Sequence, residues 1–492
     1  MVQSVDHAAL LPAYLAAGTA LLVLLVDLAI ARRAAVLTVA VLGAAATGVA
    51  AVVIGRGVDR STFCTAAGCS YVADDTGALL AVLFAGLTLV VLLLSVPALR
   101  SLPAGEYCFL LACAMTGGVA LGFSRDLITL IVSLETLTLP LYILVGLRRR
   151  SIGSAEGAVT FFVVSVVATA VTLLGAAFLY ALTGSVHFGG LRAALADNAA
   201  LRDIPLTAAA VVLVLVGLAF KVAAVPFHAW APAAYDGAPV PVAAYLSTAS
   251  KLGGVVAILY VAVDALRPWL DVAGPALAAL AVLTMTVGNL VALRQRRMVR
   301  LLAWSSVAQA GYILAPLGAF ALAGGRTDEA LSLAVAATIA YTVFYVVMEL
   351  GAFGAVIALR PGDADGGEIA DYRGTARTHP WVAGAFVLAL VGLAGLPPGL
   401  AGLFAKVVVV RSLLGGQAGW LAIVVALNAV VGLAYYVRVA ATLFGPTTET
   451  EKRVRVPWAV AAALGAATAV ALVVGFAPQL VLDAAALSQL GR

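Results

Sequence analysis

Four residues in a very apolar chain have the chemistry to hold and pass a proton. Glu135 stands in DLITLIVSLETLTLPLYILVGL, nine residues after Asp126 and thirteen before Arg148. That is too deep for its carboxylate to reach either end of a membrane-length helix. Lys251 is placed as deeply in VPVAAYLSTASKLGGVVAILYV, where Ser247, Ser250 and Gly253-Gly254 offer polar contact or close packing. Lys221 precedes Pro226 in GLAFKVAAVPFHAWAP, and Lys406 follows Pro397-Pro398 in GLAGLPPGLAGLFAK. A charge in mid-membrane costs about 2.5 to 3.5 kcal/mol on insertion scales, so such a group is normally paired or lines a hydrated cavity. Burial favours the neutral form of an ionisable group and a nearby opposite charge restores the charged form, so a lysine held between the two influences can take up and release a proton. Glu135, Lys221, Lys251 and Lys406 therefore read as a line of titratable groups through the interior. The competing reading is a set of ion pairs that only fixes helix packing, such as Glu135 with Lys221. One carboxylate cannot pair with three lysines, and burying unpaired charge is costly.

Other groups give weaker signals. Glu349, in YTVFYVVMELGAFGAV, is well inside a span and is a candidate counter-charge for a lysine. His228, beside the Pro226 break, reads equally as a relay and as a hydrogen-bonded packing histidine. Asp27 and Arg438 are close enough to span ends to snorkel. The cysteines form two C-x4-C pairs, Cys64 with Cys69 in a polar loop and Cys108 with Cys113 in a span, and neither has a His or further Cys nearby to complete a metal site. A Cys64–Cys69 disulfide is permissible if that loop is extracytoplasmic. There is no Walker sequence, dinucleotide fingerprint, nucleophile elbow, haem motif or iron-sulfur cysteine set. A chain that moves charge without such a site draws its energy from an ion gradient or from a partner.

The elements that must position these groups are membrane spans. Of 492 residues 63% are hydrophobic and 11% charged, against roughly 25% charged in a soluble domain. Apolar runs of membrane-crossing length begin near residues 8, 34, 77, 107, 126, 157, 207, 240, 273, 301, 331, 381, 420 and 457, giving an all-α polytopic membrane protein of about fourteen helices in a lipid bilayer. The first run, about Ala8 to Ile30, exceeds a signal-peptide core, lacks a preceding positive charge and is followed by Arg32-Arg33. It reads as an uncleaved first span of a bacterial inner-membrane protein, with both termini outside. The net charge of +5 suggests no nucleic acid, because the basic residues form no patch with interleaved aromatics. Of the 29 basic residues only four are lysine, and Lys221, Lys251 and Lys406 of these lie in apolar segments. With the N-terminus outside, sixteen basic residues fall in inside loops (Arg32, Arg33, Arg100, Arg148 to Arg150, Arg294, Arg296, Arg297, Arg300, Arg360, Arg373, Arg377, Lys452, Arg453 and Arg455), against nine in outside segments. The positive-inside rule supports that orientation.

Proline interrupts two spans, at Pro226 and at Pro397-Pro398. Each interruption frees carbonyls that need a partner. Breaks in two distant spans, each with a lysine, suit a transporter built from two repeats around midplane sites.

The segment FKVAAVPFHAWAPAAYDGAPVPVAAYLSTASK (220–251) closely resembles the signature of the antiporter-like subunit N family of bacterial respiratory complex I, the proton-pumping NADH:quinone oxidoreductase. TMTVGNLVALRQRRMVRLLAWSSVAQAGYIL (284–314), SLETLTLPLYIL and GLAGLPPGLAGLFAK match further family segments in order, so the resemblance covers about residues 75 to 445. It implies two inverted five-helix repeats with helices 7 and 12 broken: residues 1–104 hold helices 1 to 3, 105–266 the first repeat (helices 4 to 8), 273–444 the second (helices 9 to 13) and 457–480 helix 14. It also implies a hydrated proton route through a Glu/Lys pair, a central lysine and a lysine on the broken twelfth helix, which match Glu135, Lys221, Lys251 and Lys406. The sequence departs from the family pattern at Gln309, where many members have histidine, and at Glu349, where asparagine is common. Glutamine cannot hold a proton, so Glu349 is expected to supply part of the missing titratable function.

The resemblance implies a proton-translocating subunit of the oxidoreductase with no cofactor or metal on this chain. NADH, flavin, iron-sulfur clusters and quinone belong to partner subunits, and the neighbours are antiporter-like subunit M and small membrane subunits such as K and J. The alternatives are a subunit of a cation/proton antiporter or membrane-bound hydrogenase, and an inactive scaffold subunit.

Overall fold

The structure, a computed structural model, describes residues 5–148, 151–360, 365–446 and 455–486. Arg149, Arg150, Lys452 and Arg453, counted above among the inside charges, lie outside the described residues, as does Arg492.

Helices dominate because a backbone in hydrocarbon must satisfy its own polar groups. In chain order they are α1 (Leu11–Ile30), α2 (Arg33–Gly55), α3 (Asp75–Leu94), α4 (Ala104–Gly122), α5 (Leu127–Val145), α6 (Ile152–Thr183), α7 (Phe188–Asp197), α8 (Pro205–Lys221), α9 (Trp230–Gly237) and α10 (Val240–Ala265). There follow α11 (Leu270–Ala292), α12 (Met298–Gly318), α13 (Asp328–Leu359), α14 (Pro380–Ala394), α15 (Leu400–Gly415), α16 (Gly419–Leu443), α17 (Trp458–Phe476) and α18 (Gln479–Ala486). Among the described residues, eleven helices are long and apolar enough to cross a membrane. The two interrupted spans, α8–α9 and α14–α15, and the more polar α12 bring the crossings to the expected fourteen.

Local chemistry sets the ends. Asp74 caps α3 by accepting from Gly77 N at 2.7 Å, and Asp126 caps α5 by accepting from Thr129 N at 2.7 Å. Pro205 and Pro380 open α8 and α14, where a missing N–H costs nothing. Burial separates lining from core: only 22% of the most apolar stretch of α1 and of α6 is buried, against 100% of that of α10. The exposed leucines and valines of α1, α2 and α6 lie on the outer surface of the bundle. Helix α10 packs against α3, α4, α5, α8 and α13, which places Lys251 at the centre. Two π-helical stretches, Leu246–Ser250 and Tyr260–Ala265, flank that lysine's segment.

Both expected breaks are present. The first begins directly after Lys221, and the chain resumes helix at Trp230. The second lies between Ala394 and Leu400. Three features differ from the sequence-based expectation. The segment around Cys64 and Cys69 is a hairpin: β1 (Arg60–Thr65) pairs antiparallel with β2 (Gly68–Ala73), with Cys64 opposite Cys69 and the two joined as a disulfide. Its cause is a run of alternating β-branched, aromatic and small polar residues with a turn at Gly68. The short helices α7 and α18 were not anticipated. Arg438 does more than snorkel, since its guanidinium donates to Leu293 O at 2.7 Å and Gln295 O at 2.9 Å and so closes the end of α11.

On one face of the molecule the hairpin bridges to the α4–α5 loop, Tyr71 to Ser124, and that loop bridges in turn to the segment before α7, Asp126 to His187. On the opposite face, Arg297 and Glu368 form the corresponding bridge.

Candidate functional site

Glu135 and Lys221 meet. Lys221 Nζ donates to Glu135 Oε1 at 2.7 Å and to Thr138 Oγ1 and Ser165 Oγ, each at 3.2 Å. Thr169 Oγ1 donates to the same Glu135 oxygen at 2.6 Å. Glu135 and Thr138 share a face of α5 at i, i+3, and Ser165 and Thr169 share a face of α6 at i, i+4. The last residue of α8 delivers the ammonium between those two faces. Lys221 is 5% exposed and Glu135 22%, so the pair is sealed on the lysine side and open on the carboxylate side. The break supplies its own satisfaction: Trp230 Nε1 donates to Phe220 O at 3.1 Å, and Val225 N donates to Thr284 Oγ1 at 2.9 Å.

Lys251 is held from α12. Its Nζ donates to the Ser306 carbonyl and, at 2.6 Å, to Ser306 Oγ. That hydroxyl lies 2.8 Å from Tyr345 OH, which donates in turn to Ser247 O at 2.8 Å. Ser247, expected to offer its side chain, contributes its carbonyl instead; its hydroxyl is spent on Ala244 O at 2.9 Å, within its own helix. Glu349 is fully buried on α13, one turn beyond Tyr345, and neither carboxylate oxygen has a hydrogen-bond partner among the described residues. It lies within electrostatic range of Lys251, Tyr345 and Tyr436.

Lys406 meets no carboxylate among the described residues. Its Nζ donates to Leu393 O at 2.9 Å and Ala394 O at 2.8 Å, carbonyls freed where α14 stops. A helix C-terminus carries partial negative charge, so the end of α14 acts as a neutral counter-ion. Gln309 shares this support: its Nε2 donates to Leu393 O at 3.1 Å and to Tyr436 OH at 3.0 Å, while Tyr341 OH donates to its Oε1 at 2.7 Å. Tyr436 OH lies 2.5 Å from Ser305 Oγ. Adjacent serines of α12 thus serve two networks, Ser306 that of Lys251 and Ser305 that which reaches Lys406. His228 is half-buried beside the first break with its ring 5.1 Å from that of Trp304, and among the described residues it hydrogen-bonds to none of the charged groups.

The structure therefore joins Glu135 to Lys221, brings Lys251 near Glu349 and leaves Lys406 on backbone carbonyls. Sequence reasoning missed the hydroxyl partners Ser306, Tyr345, Tyr341 and Tyr436. The Ser305-Ser306 pair and Gln309 in an otherwise apolar span were the available signal for the first of them.

The chain as a whole is similar to known proteins. The family profile described as NADH:quinone oxidoreductase/Mrp antiporter, TM, matches residues 124–432. The NADH-quinone oxidoreductase subunit N of Salinispora tropica is 64% identical, with 99% of each chain covered. A chain of respiratory complex I from Thermus thermophilus with bound aureothin superposes with a TM-score of 0.76 at 29% identity, covering 96% of this chain and 99% of that one. A chain of the Mrp complex from Dietzia sp. DQ12-45-1b gives a TM-score of 0.84 at 23% identity, covering 97% and 96%, which is a likeness of fold alone.

Proposed function

The chain belongs to the NADH-quinone oxidoreductase subunit N family, multi-pass membrane subunits of a proton-translocating enzyme complex, and from that premise we propose that it carries protons along Glu135, Lys221, Lys251 and Lys406. The observation that carries the proposal is the Glu135–Lys221 pair, placed where a broken span ends and open on its carboxylate side. A buried ion pair is a poor stabiliser but an effective switch, because separating it leaves a charge that must be neutralised or paired elsewhere. Redox energy released in partner subunits changes the Glu135–Lys221 pairing, and the proton load moves to Lys251 and on to Lys406. Glu349 and the hydroxyls around it bridge the gap left by Gln309, with His228 a candidate relay at the break.

Helices α4 to α10 and α11 to α16 act as two inverted repeats in this scheme, each with one broken span. The chain works beside antiporter-like subunit M and small membrane subunits such as K and J in the bacterial inner membrane, with both termini outside. NADH, flavin, iron-sulfur clusters and quinone reside in other subunits. Driving each charge against the membrane potential takes about 2.3 kcal/mol per 100 mV, which the redox partners supply.

Lys221→Ala tests the reading. In inverted membrane vesicles with the complex assembled, its proton-to-electron ratio falls below that of the parent. An unchanged ratio removes Lys221 from the route.

A further inference from the structure

On the face opposite the hairpin, two loops and the end of a helix meet at one guanidinium. Arg297 Nε donates to both Asp236 oxygens, at 3.0 and 2.9 Å, and Nη2 donates to Asp365 Oδ2 at 2.8 Å. The backbone reinforces the junction: Ile369 N donates to Arg296 O at 2.8 Å and Met298 N to Gly367 O at 3.0 Å. A planar fork can hold two carboxylates in fixed directions, which an ammonium cannot. The Arg297 hydrogen bond also keeps the Asp365 carboxyl below the usual carboxylate range.

What this guanidinium joins is specific. Asp236 is in the last turn of α9, the eight-residue helix that completes the first broken span. At the other end of α9, Trp230 donates to the carbonyl of Phe220, the residue before Lys221, and stacks on Phe161 at 4.3 Å between ring centres. Helix α9 is thus a strut about 12 Å long, fixed at one end beside Lys221 and at the other by Arg297. Asp365 belongs to the segment that leads into α14, whose terminal carbonyls hold Lys406. One side chain therefore connects the end of the first broken span to the loop that enters the second.

We propose that Arg297 is a positioning residue that ties α9 to the second half of the molecule, so that a rearrangement at Glu135–Lys221 displaces the approach to Lys406 instead of being lost as free movement of α9. This rests on the proton-carrying reading above, and the test separates the two. Arg297→Gln, Asp236→Asn, the double variant and Arg297→Lys are measured in inverted vesicles for assembled complex, NADH oxidation and proton-to-electron ratio, with Lys221→Ala beside them. A tie predicts that each single substitution lowers the ratio toward that of Lys221→Ala, and that the double variant is no worse than either single. Arg297→Lys, which keeps the charge and loses the fork, falls with Arg297→Gln. A merely structural role lowers the amount of complex and leaves the ratio of the assembled fraction unchanged. Unchanged ratios, losses that multiply in the double variant, or full function in Arg297→Lys each overturn the proposal. If Arg297→Gln does not assemble, Asp365→Asn removes one arm on a half-exposed loop and carries the same comparison. If Lys221→Ala leaves the ratio intact, the proton-carrying reading falls; if only the Arg297 series does, the positioning role alone falls.

Discussion

Lys221 ends the helix before one break and Lys406 reaches back to the other from within α15, yet one faces a carboxylate and the other faces only backbone carbonyls. The second arrangement depends on Gly395, whose φ of +81° lies in the left-handed region and whose missing Cβ leaves room for the lysine: a methyl there would sit 2.7 Å from Nζ. Gly395→Ala carries about 1 to 2 kcal/mol of backbone strain and pushes the ammonium off its carbonyls. Its proton-to-electron ratio is expected to fall in assembled complex, and a ratio equal to the parent's means that the seat of Lys406 is unimportant. Glu349→Gln keeps shape and volume but removes the ionisable group that lies near both networks, so pumping drops; normal pumping excludes Glu349 from the relay. The charged members of the site were legible because four ionisable residues stand out in apolar segments. Their hydroxyl partners were not. Ser306, Tyr345 and Tyr436 are ordinary residues for a membrane helix, and which of them faces a lysine depends on how α12, α13 and α16 are rotated and packed, which periodicity in a helix apolar all round does not reveal.

At the scale of elements, proline announced both broken spans, since a missing donor inside a span forces a local solution. Nothing comparable announced the π-helical stretches beside Lys251, whose residues have ordinary helical propensity, or the hairpin, whose fourteen residues are too few and too polar to separate from a loop. The loop junction at Arg297 was visible only as basic residues that orient the chain, while its pairing with Asp236 and Asp365 comes from tertiary placement. That junction has a pH signature. Hydrogen bonding by Arg297 lowers the folded-state pKa of Asp365, so its stabilising contribution is complete above the ordinary carboxylate value of about 4 and is lost as pH falls through the lower folded value. The group is partly exposed, so the effect is small. Thermal unfolding of parent and Asp365→Asn complexes in detergent is expected to show the parent ahead near neutral pH and the gap closing below about pH 4. A gap independent of pH means that the carboxylate charge contributes nothing.

For the whole molecule, two unrelated physical criteria give the same orientation. The face that holds Arg33, Arg100, Arg297 and Arg360 carries most of the loop arginine, which the positive-inside rule assigns to the cytoplasm. The opposite face carries the hairpin with its disulfide, and disulfides persist in oxidising compartments. In the proposed scheme the proton route connects this basic, loop-tied surface to the disulfide-closed one, which puts the Arg297 junction on the uptake side. Orientation is testable without any assay of activity. Val58 is 82% exposed beside the hairpin, and Arg294 is exposed on the other face; the native cysteines are either disulfide-bonded or within α4 and give little background. A membrane-impermeant maleimide is expected to label Val58→Cys in intact cells and Arg294→Cys only in inverted vesicles. The reverse pattern inverts the molecule, and with it the direction in which Lys221, Lys251 and Lys406 deliver their protons.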